Sequence, residues 1–317
     1  MATLVGIDEA GYGPVLGPLV VVAALFDVPD AIASTDLWET LSSGVAHSAR
    51  QGRRLWIDDS KKVHQGQRRL QRLEENLLAA CPLDLPADFL AFTKWLGLPA
   101  EHLADGEPWH VAAFPALPLA AEPARIADLR ASWQATLDSA GVRFLGATAA
   151  LAQPWRFNRL VTATDNKADA LWSLALEVLD RVRAAAPGSD LDIVMDKHGG
   201  RTYYAAPLGE SFLAPVTILV ESPAVSRYRL QTASGQTLRF EMRERADSAS
   251  LPAALASMFA KYLRELCMAQ FNRYWQARAA DVAPTAGYWT DYQRWVAQLQ
   301  PLLATLDLPR DHYIRSR

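Results

Sequence analysis

The chain has 317 residues, 50% of them hydrophobic, and a formal net charge of −3, which is enough apolar content for one large domain or two but excludes any global attraction to nucleic-acid phosphate. Its two cysteines, Cys81 and Cys267, have neither a metal-ligand spacing nor the pattern of a disulfide framework. No signal-peptide pattern opens the sequence and its longest apolar stretch, Leu19 to Phe26, is too short to span a bilayer, so a cytoplasmic location is expected.

In chain order, the apolar run Leu4-Val5-Gly6-Ile7 ends in the paired carboxylates Asp8 and Glu9. A glycine turn follows (Gly11-Tyr12-Gly13-Pro14, then Gly17-Pro18), and after it a second apolar run. An acidic pair after a strand is often a solvated turn, and Gly-Pro is common turn punctuation. Carboxylates beside a glycine turn also suit a hard cation, Mg²⁺ or Mn²⁺, with phosphate oxygens completing its shell. The spacing G-x-G-x-x-x-G before a strand does not fit the dinucleotide fingerprint, which opens a helix.

Residues 3–8, 16–28 and 53–58 are predicted as three strands, the antiparallel start of a sheet, and 65–80 as a helix with Leu70, Leu73 and Leu77 on one side. Around them Arg50, Arg53, Arg54, Lys61, Lys62, Arg68, Arg69 and Arg72 form a basic cluster. By itself this is a solvated helix face; beside a carboxylate site it is a phosphate track. Residues 83–140 form an apolar, Pro-interrupted segment containing Trp95, Trp109 and Trp133, with a helical pattern at 124–139, suited to a cap or a dimer surface. Strands are predicted at 142–149 and 191–196, the latter ending at Asp196 with Lys197, His198 and Arg201 next to it, and an amphipathic helix at 167–185. A β-hairpin is predicted within 215–246, its strands 227–232 and 237–243, able to reach over a bound substrate. Helices at 250–275 and 288–305 follow, rich in Trp275, Tyr288, Trp289, Tyr292 and Trp295, whose helical spacing favours packing over base stacking. Arg315-Ser316-Arg317 is expected as a tail open to phosphate.

Five blocks in this order carry a resemblance: Asp8-Glu9 with the glycine turn, Asp58-Asp59-Ser60-Lys61-Lys62, Phe157-Asn158-Arg159-Leu160, Ile193-Val194-Met195-Asp196, and Asp247 followed by an Ala/Ser-rich stretch ending Ala260-Lys261. Together they resemble the type 2 ribonucleases H, the ribonuclease HII and HIII group. The resemblance implies an α/β fold: a ribonuclease H-like mixed sheet flanked by helices, with an inserted helical segment, an added β-hairpin and a C-terminal helical region. Residues 1–250 would form the catalytic domain and 251–317 a helical region packed on it.

The resemblance further implies a metal-dependent endoribonuclease that hydrolyses the RNA strand of RNA/DNA hybrids, or ribonucleotides embedded in DNA. Asp8, Glu9, Asp196 and Asp247 would hold two Mg²⁺ or Mn²⁺ ions roughly 3.5–4 Å apart. Gly11, Tyr12 and Gly13 would face the 2′-hydroxyl, Ser60 and Lys61 the phosphate backbone, and Lys197 and Tyr288 other parts of the substrate; Asp59 is a further acidic candidate. Ribonuclease HII has Gly-Arg-Gly and HIII Gly-Thr-Gly where this chain has Gly11-Tyr12-Gly13, so the chain resembles a divergent relative. Two other readings stay open: a superfamily nuclease acting on DNA junctions or structured RNA, and a noncatalytic nucleic-acid-binding module, which the intact carboxylate quartet disfavours.

Overall fold

The first two strands, β1 (Ala2–Ala10) and β2 (Leu19–Val28), pair antiparallel, with Asp8 opposite Val22. Strand β2 has no face for water. Val20, Val22, Ala24 and Phe26 enter one hydrophobic cluster, while Leu19, Val21, Ala23 and Leu25 enter another, because alternate side chains leave a strand on opposite faces. A strand buried on both sides needs helices over both, and the remaining elements supply them. The computed structural model describes residues 1–48, 52–82, 85–104, 107–110, 115–199 and 201–316. Arg50 of the basic cluster, Arg317 of the tail and parts of the 83–140 segment lie outside them.

After β2 come α1 (Leu37–Thr40), the short parallel pair β3 (Val45–Ala46) and β4 (Leu55–Trp56), α2 (Ser60–Val63), α3 (Arg69–Ala80), α4 (Phe89–Trp95), α5 (Ala100–Ala104) and α6 (Pro123–Ala140). Strand β5 (Arg143–Ala152) then joins the open edge of β2. Helices α7 (Pro154–Thr164) and α8 (Lys167–Ala185) lead to β6 (Leu191–Asp196), and α9 (Ala205–Phe212) to β7 (Val216–Glu221), β8 (Val225–Gln231) and β9 (Thr237–Arg243). The chain closes with α10 (Leu251–Gln276) and α11 (Trp289–Leu303). The main sheet has seven strands in the order β5-β2-β1-β6-β9-β8-β7, with β1, β6 and β9 mutually parallel and the remaining pairs antiparallel. This is the mixed sheet flanked by helices that the sequence implies. Among the described residues no helix is long and apolar enough to cross a membrane.

One expectation changes. Residues 53–58 do not enter the main sheet: only Leu55–Trp56 is extended, and the Trp56 N–H donates to the Asn76 side chain at 2.6 Å instead of to a sheet partner. The sheet's third antiparallel strand is β5 instead. The hairpin predicted within 215–246 forms as β8 and β9 and belongs to the main sheet: β9 pairs with β6, and β9, β8 and β7 extend the sheet sideways. Within the 83–140 segment, Phe89, Phe92, Ile126, Leu129 and Trp133 share a core with β2 and α10.

Helix α10 crosses directly over β1, and Gly6 is the reason it can. A Cβ at Gly6 would lie 2.0 Å from the Ala253 nitrogen and the Pro252 carbonyl carbon, so only glycine lets the two backbones meet. The C-terminal aromatics divide by exposure. Trp275, Tyr292 and Trp295 are buried in a third cluster with Trp109 and Phe271, whereas Tyr288 and Trp289 stay exposed.

His110 lies buried between Gln153 and Gln270, and burial lowers its pKa from 6.5 to about 4. The unfolded chain therefore takes up a proton that the folded chain refuses until about pH 4. This residue's contribution to stability is intact above its ordinary pKa of about 6.5 and is lost as pH falls from there, by up to roughly 3 kcal/mol. His110→Gln should remove that part of the acid sensitivity. Urea unfolding of both proteins between neutral pH and mild acid would show their stability curves converging; parallel curves would disprove it.

Candidate active site

Parallel strands β1, β6 and β9 end along one edge of the sheet. The β1–β6 register ends at Ile7 opposite Met195, so Asp8 and Asp196 are the next pair beyond it. Asp196 in turn lies opposite Arg243, the last residue of β9, and four residues later the 3₁₀ turn Ala246–Ser248 carries Asp247. Carboxyl ends of parallel strands are where open α/β sheets place their ligand sites. Asp8, Glu9, Asp196 and Asp247 thus gather although they span most of the sequence, and they repel one another strongly enough to perturb each other's ionisation.

Burial is the first cause of that perturbation. It pushes Asp8 well above the ordinary carboxylate range, reinforced by Glu9, Asp247 and Asp196, and opposed by a hydrogen bond with Ser257. Glu9 is raised to about 7 by burial and Asp196, and Asp247 to about 6 by burial and its neighbours Asp59 and Asp196. Asp196 is also raised by burial, against backbone N–H groups of Lys197, Ala246 and Arg245 that hold its carboxylate. Arg245 presents its amide from the left-handed region, at φ 58°, a conformation that costs a non-glycine residue energy and is typical of functional sites. Lys61 is a cation that lowers Glu9, Asp196 and Asp247 alike.

These donors fit a hard divalent cation in chemistry: oxygens only, crowded enough that the full set cannot ionise cheaply without added positive charge. Among the described residues no three acidic, histidine or cysteine side chains are already closed around a common point. The carboxylates share a site without forming a finished cage.

The other expected residues fall into different roles. Asp59 caps α2, accepting the Lys61 N–H at 2.8 Å. Ser60 is buried, its hydroxyl 3.0 Å from that of Ser257 on α10, and Ser257 is in turn the partner of Asp8. Ser60 therefore braces the carboxylates from below. Lys61 is exposed at the site's mouth. Lys197 gives its backbone N–H to Asp196, but its ammonium donates to the Ser222 carbonyl at 2.6 Å and to the Ser226 hydroxyl at 3.2 Å. That side chain anchors the start of β8.

The two glycines of the turn differ. Gly11 sits at φ +92° with its missing Cβ 2.5 Å from the Pro18 carbonyl oxygen and 2.6 Å from Arg264 Nε, whereas a Cβ on Gly13 would meet nothing within 4 Å. Gly11→Ala is thus expected to destabilise the protein by roughly 1–3 kcal/mol through strain and overpacking, and Gly13→Ala to leave stability within about 0.5 kcal/mol of wild type. Any loss of activity in a stable Gly13→Ala then measures how closely substrate approaches that backbone. Between them, Tyr12 lies under the Lys167 ammonium, 4.8 Å from its ring centroid, and a Cβ on Gly199 would sit 2.9 Å from the Tyr12 hydroxyl.

Beneath this turn lies a support that the sequence does not announce. Arg315 is not an open tail: it is 2% exposed, and its Nη2 donates to the carbonyls of Gly11 and Pro14. Its own N–H donates to the Val15 carbonyl at 2.8 Å, and its guanidinium lies over Phe157, 4.8 Å from the ring centroid. Asn158 holds the tail in place through the carbonyls of Asp311 and Ile314 and the Ser316 N–H. Arg264, also buried, donates to the carbonyls of Leu16 and Ala286. The Gly287 carbonyl accepts from Val15 and Leu16, which brings exposed Tyr288 alongside the same turn.

No family model matches the sequence, and no curated protein does. Among solved structures the chain is similar to the ribonuclease HII of Archaeoglobus fulgidus from its complex with PCNA, at 16% identity and a TM-score of 0.43, covering 99% of this chain and 94% of that one. It is similar to RNase H3 of Aquifex aeolicus at 14% identity and a TM-score of 0.41, covering 98% of this chain and 71% of that one. Against Bst-RNase HIII solved with Mn²⁺ the values are 17% and 0.44, and this chain, 94% covered, spans 62% of that one.

Proposed function

We propose that the protein is a divalent-metal-dependent endonuclease of the ribonuclease H type, hydrolysing phosphodiester bonds at ribonucleotides in RNA/DNA hybrids or in DNA. The observation that carries this reading is the meeting of four mutually repelling carboxylates, Asp8, Glu9, Asp196 and Asp247, at the ends of three parallel strands. Those oxygens would hold divalent cations, which when bound would supply positive charge to the attacking water and the leaving oxygen.

The chain's own groups do the rest. Backbone amides of Lys197, Arg245 and Ala246 fix Asp196, and the Ser60–Ser257 pair steadies Asp8. Lys61, the cation facing the carboxylates, binds the substrate phosphate and offsets its repulsion. Open space at Gly13 admits a ribose against the backbone, where an amide can recognise the 2′-hydroxyl that DNA lacks. Tyr12 stands where the resembling ribonucleases HII carry an arginine, and Lys167 returns positive charge to the same turn from the start of α8. Tyr288, exposed beside the turn, is placed to stack on a sugar or base.

The test is cleavage of matched duplexes of DNA, RNA, hybrid and DNA with a single ribonucleotide, with Mg²⁺, Mn²⁺ or chelator. Metal-dependent cleavage confined to ribose-containing duplexes is expected. Equal rates on all-DNA and ribose-containing duplexes would reject the ribonuclease reading in favour of a nuclease with another substrate.

A further inference from the structure

Away from the carboxylates, a cavity of about 270 Å³ opens between β4, α3 and α6, and Arg54, Arg68, Arg72 and Arg125 line it. Among the described residues none of these four arginines is ion-paired with a carboxylate. Arg54 and Arg125 each donate to a backbone carbonyl, of Ser42 at 3.0 Å and of Gly52 at 2.6 Å. Among the described residues the one acidic side chain lining it, Glu75, accepts from Gln71 at 2.8 Å. Two further donors in the same wall, Arg72 Nε and Trp56 Nε1, are buried without a hydrogen-bond partner. Arg72 also covers the Trp56 ring, 5.5 Å from its centroid, which fixes the guanidinium plane.

A cavity walled by donors and short of acceptors asks for an anion. Guanidiniums on several sides match the tetrahedral oxygens of phosphate better than a planar carboxylate, since each can bond a separate pair of oxygens. We infer that this cavity is a phosphate-binding pocket and that its ligand is a backbone phosphate of the bound duplex, remote from the bond that is cut. The choice of duplex over a free phosphate compound rests on the function proposed above; the pocket itself does not. Arg125 comes from α6, so the pocket gives the 83–140 segment a task, which is to complete an anchoring point that α3 and β4 begin.

Two measurements on the full chain test it, comparing wild type with Arg72→Gln/Arg125→Gln and with the exposed Arg68→Gln, whose fold is least at risk. In the first, thermal unfolding is followed in inorganic phosphate against chloride at equal ionic strength. Phosphate should raise the wild-type midpoint, since a ligand of the folded state stabilises it, and the rise should shrink in Arg68→Gln and vanish in the double variant. In the second, duplex binding without cleavage is measured on an Asp8→Asn background over a range of salt. The double variant should bind about tenfold more weakly, with a salt slope shallower by about one for each backbone phosphate no longer neutralised.

Equal phosphate responses in wild type and variants, or none in any, overturn the pocket. An arginine-dependent phosphate response with unchanged duplex affinity and slope overturns the backbone as its source, and assigns the pocket to a free phosphate-bearing compound. If wild type binds no duplex and cleaves none yet keeps that response, the proposed function fails while the pocket stands.

Discussion

Asp8→Asn is expected to lower cleavage by more than about a hundredfold, the loss that removing even an outer partner of a metal ligand can give. The substitution keeps the shape of the side chain and its hydrogen bond with Ser257 but removes the charge at the centre of the quartet, where Glu9, Asp196 and Asp247 all act on it. Two further outcomes separate this from misfolding. In chelator the variant should unfold at a higher temperature than wild type, because one of four crowded negative charges is gone. Its affinity for hybrid should hold or rise, since less negative charge meets the phosphate. Cleavage at the wild-type rate with Mg²⁺ would reject metal-assisted hydrolysis at this site.

Much of the candidate site was legible because its carboxylates lie at ends of strands that are themselves legible. Ile7 and Met195 are the last apolar residues of two buried runs, and the carboxylates follow them immediately. Asp247 could be placed only through its resemblance to a family motif, since it lies on a turn whose position depends on the pairing of β9 with β6. What the sequence hid was the choice between equivalent partners. Leu55–Trp56 has the composition of a strand, yet Asn76 on α3 supplies the acceptor that a sheet neighbour would have given. Lys197 sits next to Asp196 in sequence, but its ammonium follows Ser222 and Ser226. Gly11 and Gly13 look alike, and only the folded chain distinguishes them, by setting Gly11 at φ +92° against Pro18 and Arg264. Ser257 reads as one more small residue of a helix until that helix is laid across Gly6, which brings it to Asp8.

Arg315→Met is expected to be among the most damaging single substitutions outside the carboxylates, although it lies two residues from the end of the chain. Methionine fills much of the buried volume over Phe157 but offers no donor, leaving the carbonyls of Gly11 and Pro14 without the hydrogen bonds they have. Each buried acceptor so stranded costs about 1–3 kcal/mol, so a loss of roughly 3 kcal/mol in urea unfolding is expected, reduced by the desolvation that a buried cation no longer suffers. The same desolvation, together with neighbouring Arg264, lowers the Arg315 pKa to about 9. Arg315, buried beneath the turn, acts through it: it positions the backbone between the carboxylates and Tyr288. Its loss should therefore raise KM for ribose-containing duplexes and weaken discrimination against all-DNA duplexes, with the metal dependence of cleavage unchanged. Arg315→Lys, which keeps one charged donor, should recover part of the stability and part of the discrimination. If Arg315→Met is as stable as wild type and equally selective, the tail does not hold the turn.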